Sequence, residues 1–168
     1  AALSQAQLLE EAERGSLIDP LTGCHNRRYL DHLLEVEWKR STRYEVSLSL
    51  ALIDIDRFKH LNDVYGREVG DQILKSLATF VRTHLRETDC LARFEGPQFA
   101  VLLPETGPAE AAIVLERIRL LAASQASVST GGHTPIQVTF SAGVAGSPSS
   151  SGESPEALIR EASAALQK

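Results

Sequence analysis

The stretch that decides the fold is residues 86–103, Arg86-Glu87-Thr88-Asp89-Cys90-Leu91-Ala92-Arg93-Phe94-Glu95-Gly96-Pro97-Gln98-Phe99-Ala100-Val101-Leu102-Leu103. Residues 90–94 and 99–103 are short apolar runs suited to a pleated surface, and Glu95-Gly96-Pro97-Gln98 between them predicts a β-hairpin. Glycine reaches backbone conformations that other residues avoid, while proline fixes its own φ and has no N–H to donate. The turn therefore offers few groups to a metal or a phosphate. Arg86 and Asp89 stand three apart where a helix is predicted to end. A guanidinium forks to acceptors and a carboxylate accepts N–H donors, so the pair suits a ligand with both a guanine base and a phosphate. By spacing alone it is also an ordinary ion pair at a helix end in solvent, the commoner case.

Composition bounds the rest. The chain has 168 residues, 43% hydrophobic and 23% charged, a balance expected of one soluble domain with a sizeable core. No segment approaches the roughly 20 apolar residues that span a bilayer, and no signal peptide is visible, so no membrane contact is expected from this segment. A net charge of −5 argues against a sequence-independent grip on polymeric nucleic acid, which needs a basic face. Any phosphate ligand then falls to a few local arginines. Cys24 and Cys90 have neither metal-type spacing nor the number for a disulfide framework, so the default compartment is a reducing cytoplasm. Cys24-His25 is the first place to look for an adventitious metal, with chance the plainer explanation.

Outward from the hairpin, residues 1–14 are polar and helix-favouring, with a partial apolar stripe of Leu3, Ala6, Leu8 and Leu9. Residues 1–16 are expected to be a connector helix, too short to establish a coiled coil, in a chain cut from a longer protein. Asp19-Pro20-Leu21-Thr22-Gly23 reads as a turn, and Asn26 as the cap of a helix through Tyr29, Leu30, Leu33, Leu34 and Trp38. Residues 47–55 form a nearly continuous apolar run, the pattern of a central buried strand. It ends at Asp54 and Asp56, which alternation puts on one face. Two acids at the end of a buried strand carry a desolvation penalty unless paired or bound to a cation, so they suggest a metal site. The competing reading is that one of them caps the next helix.

A short helix from Phe58, closed by Gly66, precedes a long amphipathic helix over residues 68–85, with Asp71 near its start as either a functional group or a macrodipole partner. Past the hairpin, residues 104–108 are a connection and residues 109–123 a helix bearing Arg117 and Arg119. A polar loop or weak hairpin over 124–135, a strand over 136–144, a loop over 146–155 and a last helix over 156–167 complete the chain. This order implies an α/β sandwich whose hairpin makes the sheet partly antiparallel.

These residues carry a resemblance. Asp19-Pro20-Leu21-Thr22-Gly23 with Asn26-Arg27-Arg28 is similar to the opening motif of the GGDEF domain, the diguanylate cyclase family. Asp54-Ile55-Asp56-Arg57-Phe58-Lys59, Asn62-Asp63, Gly66, Gly70-Asp71, the hairpin and Phe140-Ser141-Ala142-Gly143-Val144-Ala145 follow in the family's order and spacing. The resemblance assigns residues 17–168 to a GGDEF domain. It implies an α/β palm like that of nucleotide cyclases and polymerases, a central mixed five-stranded sheet surrounded by helices.

Active members of that family condense GTP molecules into cyclic di-GMP, each domain of a dimer presenting one GTP. The resemblance makes Asp54 the metal ligand at the strand end, Asn62 and Asp71 the pair that hydrogen-bonds guanine, and Phe58 and Lys59 the turn around the triphosphate. The signature turn departs from Gly-Gly-Asp/Glu-Glu-Phe and reads Glu95-Gly96-Pro97-Gln98-Phe99. Glu95 replaces the glycine that lets phosphate approach, Pro97 the second metal-binding carboxylate, and Gln98 the next acid. The catalytic magnesium ions need several oxygen ligands of fixed geometry, and proline has no side-chain oxygen. Ala162-Ser163-Ala164-Ala165-Leu166-Gln167-Lys168 also departs from the family's Ala-Asp-x-Ala-Leu-Tyr-x-Ala-Lys. The expectation is a degenerate domain without cyclase activity and with no required cofactor. Asp54 would be a vestigial ligand, with magnesium present only if GTP binds.

Arg86-Glu87-Thr88-Asp89 resembles the family's Arg-x-x-Asp inhibitory site, ending five residues before the signature turn. In active enzymes that site binds cyclic di-GMP, and Arg117 aligns with an arginine that completes it from a neighbouring domain. The resemblance implies a receptor in which Arg86, Asp89 and Arg117 hold cyclic di-GMP, in a ligand-bridged homodimer that signals to neighbouring domains of a longer protein. Two alternatives stay open. One is a regulatory domain that binds GTP through Asn62, Asp71 and Asp54; the other is an interaction scaffold that binds neither nucleotide.

Overall fold

The computed structural model describes residues 16–131, 134–147 and 154–167. Its elements in chain order are α1 (Arg27–Tyr44), β1 (Leu48–Ile55), α2 (Phe58–Tyr65), α3 (Arg67–Thr83), β2 (Cys90–Arg93), β3 (Gln98–Pro104), α4 (Pro108–Gln125), β4 (Ser127–Val128), β5 (Ile136–Gln137), β6 (Phe140–Ser147) and α5 (Pro155–Leu166). The connector helix expected over residues 1–16 lies almost wholly outside the described residues.

β1 is central because it is apolar on both faces: Leu50, Ala51, Leu52 and Ile53 have no solvent exposure. Its edges pair antiparallel with β3 on one side and β6 on the other, and β2 pairs with β3, giving the order β2-β3-β1-β6. Every ladder in this four-stranded sheet is antiparallel. The sheet is mixed through His25, which pairs parallel with Ala92 at the β2 edge and antiparallel with Ile18. Four ladder-forming strands and this isolated pairing thus stand where five strands were expected.

Period-two alternation sorts β1 onto two cores. Leu48, Leu50 and Leu52 pack with Leu30 and Leu34 of α1 and Leu158 and Ala162 of α5. Ala51, Ile53 and Ile55 pack with Ile73 and Leu77 of α3 and Leu115 and Ile118 of α4. The Asn26 side chain caps α1 by accepting from the Tyr29 N–H at 3.0 Å, as its sequence position predicts. The strand expected over residues 136–144 divides into β5 and β6 because its backbone changes partners at the join. Val138 N–H donates to the Ala126 carbonyl, and the Thr139 carbonyl accepts from Asp56 N–H. β5 pairs only with β4, as a separate two-stranded sheet.

α5 approaches β6 closely at Gly143, opposite Leu52. A Cβ there would overlap the Ala162 carbonyl oxygen and the Leu166 backbone nitrogen. Backbone cannot swing aside as a flexible side chain can, so Gly143→Ala is expected to lower stability by about 1–3 kcal/mol. Urea denaturation of the variant beside the parent checks this, and an unchanged midpoint would refute the close packing.

Candidate functional site

The hairpin closes around Glu95-Gly96-Pro97-Gln98 as expected. Arg93 pairs with Phe99, Phe94 N–H donates to the Gln98 carbonyl at 2.9 Å, and Gln98 N–H donates to the Glu95 carbonyl at 2.8 Å. Gly96 has φ of +52° while proline is confined near about −65°, the sign pattern of a type II′ turn. Arg93 ties this turn to the first loop of the domain. It donates through Nε and Nη2 to the Gly96 carbonyl (3.0 and 2.9 Å) and through Nη1 to Asp19 Oδ2 (3.2 Å). That oxygen also accepts from the Thr22 hydroxyl at 2.7 Å and the Thr22 amide at 3.0 Å. Arg27 lies over the Phe94 ring, 3.9 Å from its centroid, and reaches Glu95 Oε1 at 3.5 Å. Glu95 is thus engaged by an arginine.

Beside the turn, Asp54 stands opposite Gln98 on β3 and Ser141 on β6. Gln98 Nε2 donates to Asp54 Oδ2 at 3.4 Å, and Ser141 Oγ donates to Asp56 Oδ1 at 2.7 Å. The two aspartates share one cleft of about 330 Å³ with Gln98, Ser141 and Ser163, so the alternation argument brings them together as expected. Among the described residues no group of three or more His, Cys, Asp or Glu is arranged to hold a metal ion. A carboxylate facing an amide donor is a poor match to a pair of hard cations that need several oxygen ligands each. Cys24 and His25 likewise belong to no such group among the described residues. Cys24 is buried, which raises its thiol above the usual range, and His25 stacks on Tyr29 with centroids 3.9 Å apart.

The strand turns into α2 through Arg57, in the left-handed region at φ +55°, with no side chain capping the first amides of the helix. These are the amides of Phe58 and Lys59. Asn62 packs over Gly70, where a Cβ would overlap its Oδ1 and approach the Phe58 ring, and Asp71 is the next residue. Asn62 Oδ1 is buried with no hydrogen-bond partner among the described residues. Such an orphaned acceptor is costly unless a donor reaches it.

Arg86 and Asp89 are joined at the end of α3. Asp89 Oδ2 accepts from the Arg86 amide (2.9 Å) and Nε (3.3 Å), and Oδ1 accepts from Nη2 (3.1 Å). The Asp89 side chain is 2% exposed, that of Arg86 54%. Nη2 also donates to the Thr106 hydroxyl at 2.6 Å and faces the Pro104 carbonyl at 3.4 Å. The Nη1 edge stays outside this network. Arg117 lies exposed on α4, and the ion pair of Asp89 is made with Arg86.

Sequence reading missed the Arg93–Asp19 tie, the Arg27–Glu95 contact and Thr106. Arg27 and Arg93 flank the motifs they join, but nothing in their spacing pairs residues 74 apart in the chain, as Arg93 and Asp19 are. Thr106 looked like part of a plain connection.

A palm-like α/β sheet, with an acidic strand end beside a hairpin turn and helices on both faces, defines a nucleotide-cyclase type of domain. The chain belongs to the GGDEF family: residues 16–168 match the family described as "Diguanylate cyclase, GGDEF domain". It is 37% identical over 147 residues to the response regulator PleD of Caulobacter vibrioides, covering 88% of this chain and 32% of that protein. It is 39% identical over 160 residues to the diguanylate cyclase DgcP of Pseudomonas aeruginosa, covering 95% of this chain and 23% of that protein. The chain therefore spans a third or less of the length of these relatives. The GGDEF domain of DgcB from Caulobacter crescentus, solved in complex with c-di-GMP, superposes with a TM-score of 0.83 at 29% identity, covering 92% of this chain and 90% of that one. No helix among the described residues is long and apolar enough to cross a membrane.

Burial alone would raise the Asp19 carboxyl, but its bonds to Thr22 and Arg93 outweigh it and hold the group below the usual carboxylate range. Because the folded value is the lower one, this stabilisation is present above the ordinary pKa of about 3.9 and is lost as pH falls through the folded value. Asp19→Asn is therefore expected to melt below the parent at neutral pH, with the gap narrowing as pH drops below about 4. Thermal melts across that range check it; a constant gap would show that the tie carries no charge term.

Proposed function

We propose that this chain is a non-catalytic GGDEF domain that serves as a cyclic di-GMP receptor through Arg86 and Asp89, with Arg117 completing the site from a second copy. The carrying observation is a contrast between the ends of β3. At Gln98 the metal-side carboxylate Asp54 meets an amide, and Pro97 supplies no ligand oxygen. At Pro104 the Arg86 guanidinium is oriented by Asp89 and Thr106, mostly exposed and with one edge uncommitted. A fixed, exposed guanidinium can fork to phosphate or to a guanine edge and stack on a purine face. Asp89 can accept guanine N–H groups by exchanging bonds it now receives from Arg86. The c-di-GMP complex of the DgcB GGDEF domain shows that this fold holds the ligand in a relative. Binding would reach neighbouring domains of a longer protein by favouring one of two arrangements that hold the ligand differently.

A second reading is favoured by the unpartnered Asn62 Oδ1. A guanine edge carries the N–H donors that this oxygen lacks, so on this reading GTP, excluded from the chemistry, still binds as a regulatory ligand.

Calorimetric titration with cyclic di-GMP and separately with GTP plus magnesium tests both, together with an assay for product from GTP. We expect cyclic di-GMP binding, no product, and a loss of roughly 100-fold or more in Arg86→Ala. That variant stays folded, because the residue-86 amide still donates to Asp89 and loss of the covering guanidinium opens the carboxylate to water. GTP binding alone, abolished by Asn62→Ala, would move the function to the other pocket. Binding of neither would leave a scaffold, and product formation would restore the enzyme.

A further inference from the structure

We infer that Thr106 is a positioning residue for the Arg86 guanidinium, holding it in place when Asp89 turns its oxygens to a ligand; this rests on the receptor reading. Thr106 is 1% exposed, and its place is built from both sides. Its hydroxyl accepts from Arg86 Nη2 at 2.6 Å and donates to the Pro104 carbonyl at 2.9 Å. Its own carbonyl accepts from the hydroxyl of Ser49, a β1 residue with no exposure, at 2.7 Å. The preceding Glu105 adopts φ +53°, a conformation that costs energy in a non-glycine residue and persists only where its surroundings hold it. A buried, doubly anchored hydroxyl is thus aimed at an exposed arginine, in the turn that leads into α4.

In the ligand-free arrangement Asp89 and Thr106 divide the guanidinium between them. If Asp89 gives bonds to guanine N–H groups, Arg86 loses acceptors and, alone, a long flexible side chain would regain rotamer freedom that the ligand must then pay to remove. Thr106 and the Pro104 carbonyl are the acceptors that do not move with the ligand. Because the same turn opens α4, which carries Arg117, the hydroxyl also joins the position of Arg86 to the helix that would present the second arginine.

The test uses Thr106→Val, which keeps the shape and removes the hydroxyl, and Thr106→Ser, which keeps the hydroxyl. Nitrogen-15 spectra of the ligand-free chain read the Arg86 Nη2–H signals and their exchange with water, and calorimetry reads cyclic di-GMP affinity. We expect protected Nη2–H groups in the parent and the serine variant. The valine variant should lose this protection and bind cyclic di-GMP roughly tenfold or more weakly, as for loss of a hydrogen bond to a charged group. Should the valine variant not fold, Thr106→Ala is read in the same way. Unchanged protection and affinity in a folded hydroxyl-free variant would overturn the inference. If the parent binds no cyclic di-GMP while the hydroxyl-free variant still loses Nη2–H protection, the receptor reading fails and the positioning of Arg86 by Thr106 stands.

Discussion

The structure depends on the need to bury β1 on both faces and pair it on both edges. A strand with four consecutive residues at zero exposure cannot leave its amides and carbonyls to water, so β3 and β6 must flank it. It cannot leave either face bare, so α1 and α5 cover one side and α3 and α4 the other. The polar residues that end it then emerge at a defined place. Asp54 is the last residue of β1 paired to both neighbours, and Gln98 and Ser141 are its partners because the registers leave no other choice. The chemistry available at that end is therefore set by which side chains occupy three strand positions.

The hairpin turn holds its shape through backbone groups. A type II′ turn needs a positive φ at its first central residue, which Gly96 supplies, and Pro97 suits the second because its fixed φ is negative. Arg93 secures the turn through the Gly96 carbonyl, a backbone group indifferent to the side chains at positions 95 and 97. Proline at this position thus costs the turn little in folding and brings no side-chain oxygen. Gln98 presents an amide donor toward Asp54.

The sequence made the long elements legible because each rests on local chemistry. β1 shows itself by a continuous apolar run, α1 by its Asn26 cap, and the hairpin by Gly96 and Pro97 between apolar segments. The division of residues 136–144 was not legible, since Val138 and Thr139 suit a strand by propensity and only their tertiary hydrogen bonds, to Ala126 and Asp56, break it. Pairing within the site followed the same rule. Arg86 and Asp89 are three apart and meet on one local turn, whereas Arg93 finds Asp19 and Arg86 finds Thr106 only through the fold. Side-chain contacts between distant segments leave no mark on the spacing of either.

The geometry of β3 explains why the two candidate sites can have separate fates. Gln98 opens the strand beside Asp54, and Pro104 closes it beside Arg86, so its seven residues hold the sites apart by about 20 Å. Between them lie Phe99, Ala100, Val101, Leu102 and Leu103, all buried in the two cores. Changes at the hairpin tip act on groups whose anchors, Arg93, Asp19 and Arg27, belong to that end of the sheet. The Arg86 end has its own anchors in Asp89, Thr106 and Ser49, none of which touches the tip. With no shared side chain, substitutions at one end change the other only by shifting β3 itself, which both its neighbours and both cores resist. A proline at the turn is therefore compatible with a firmly held guanidinium at the far end, because the two ends of β3 rest on separate anchors.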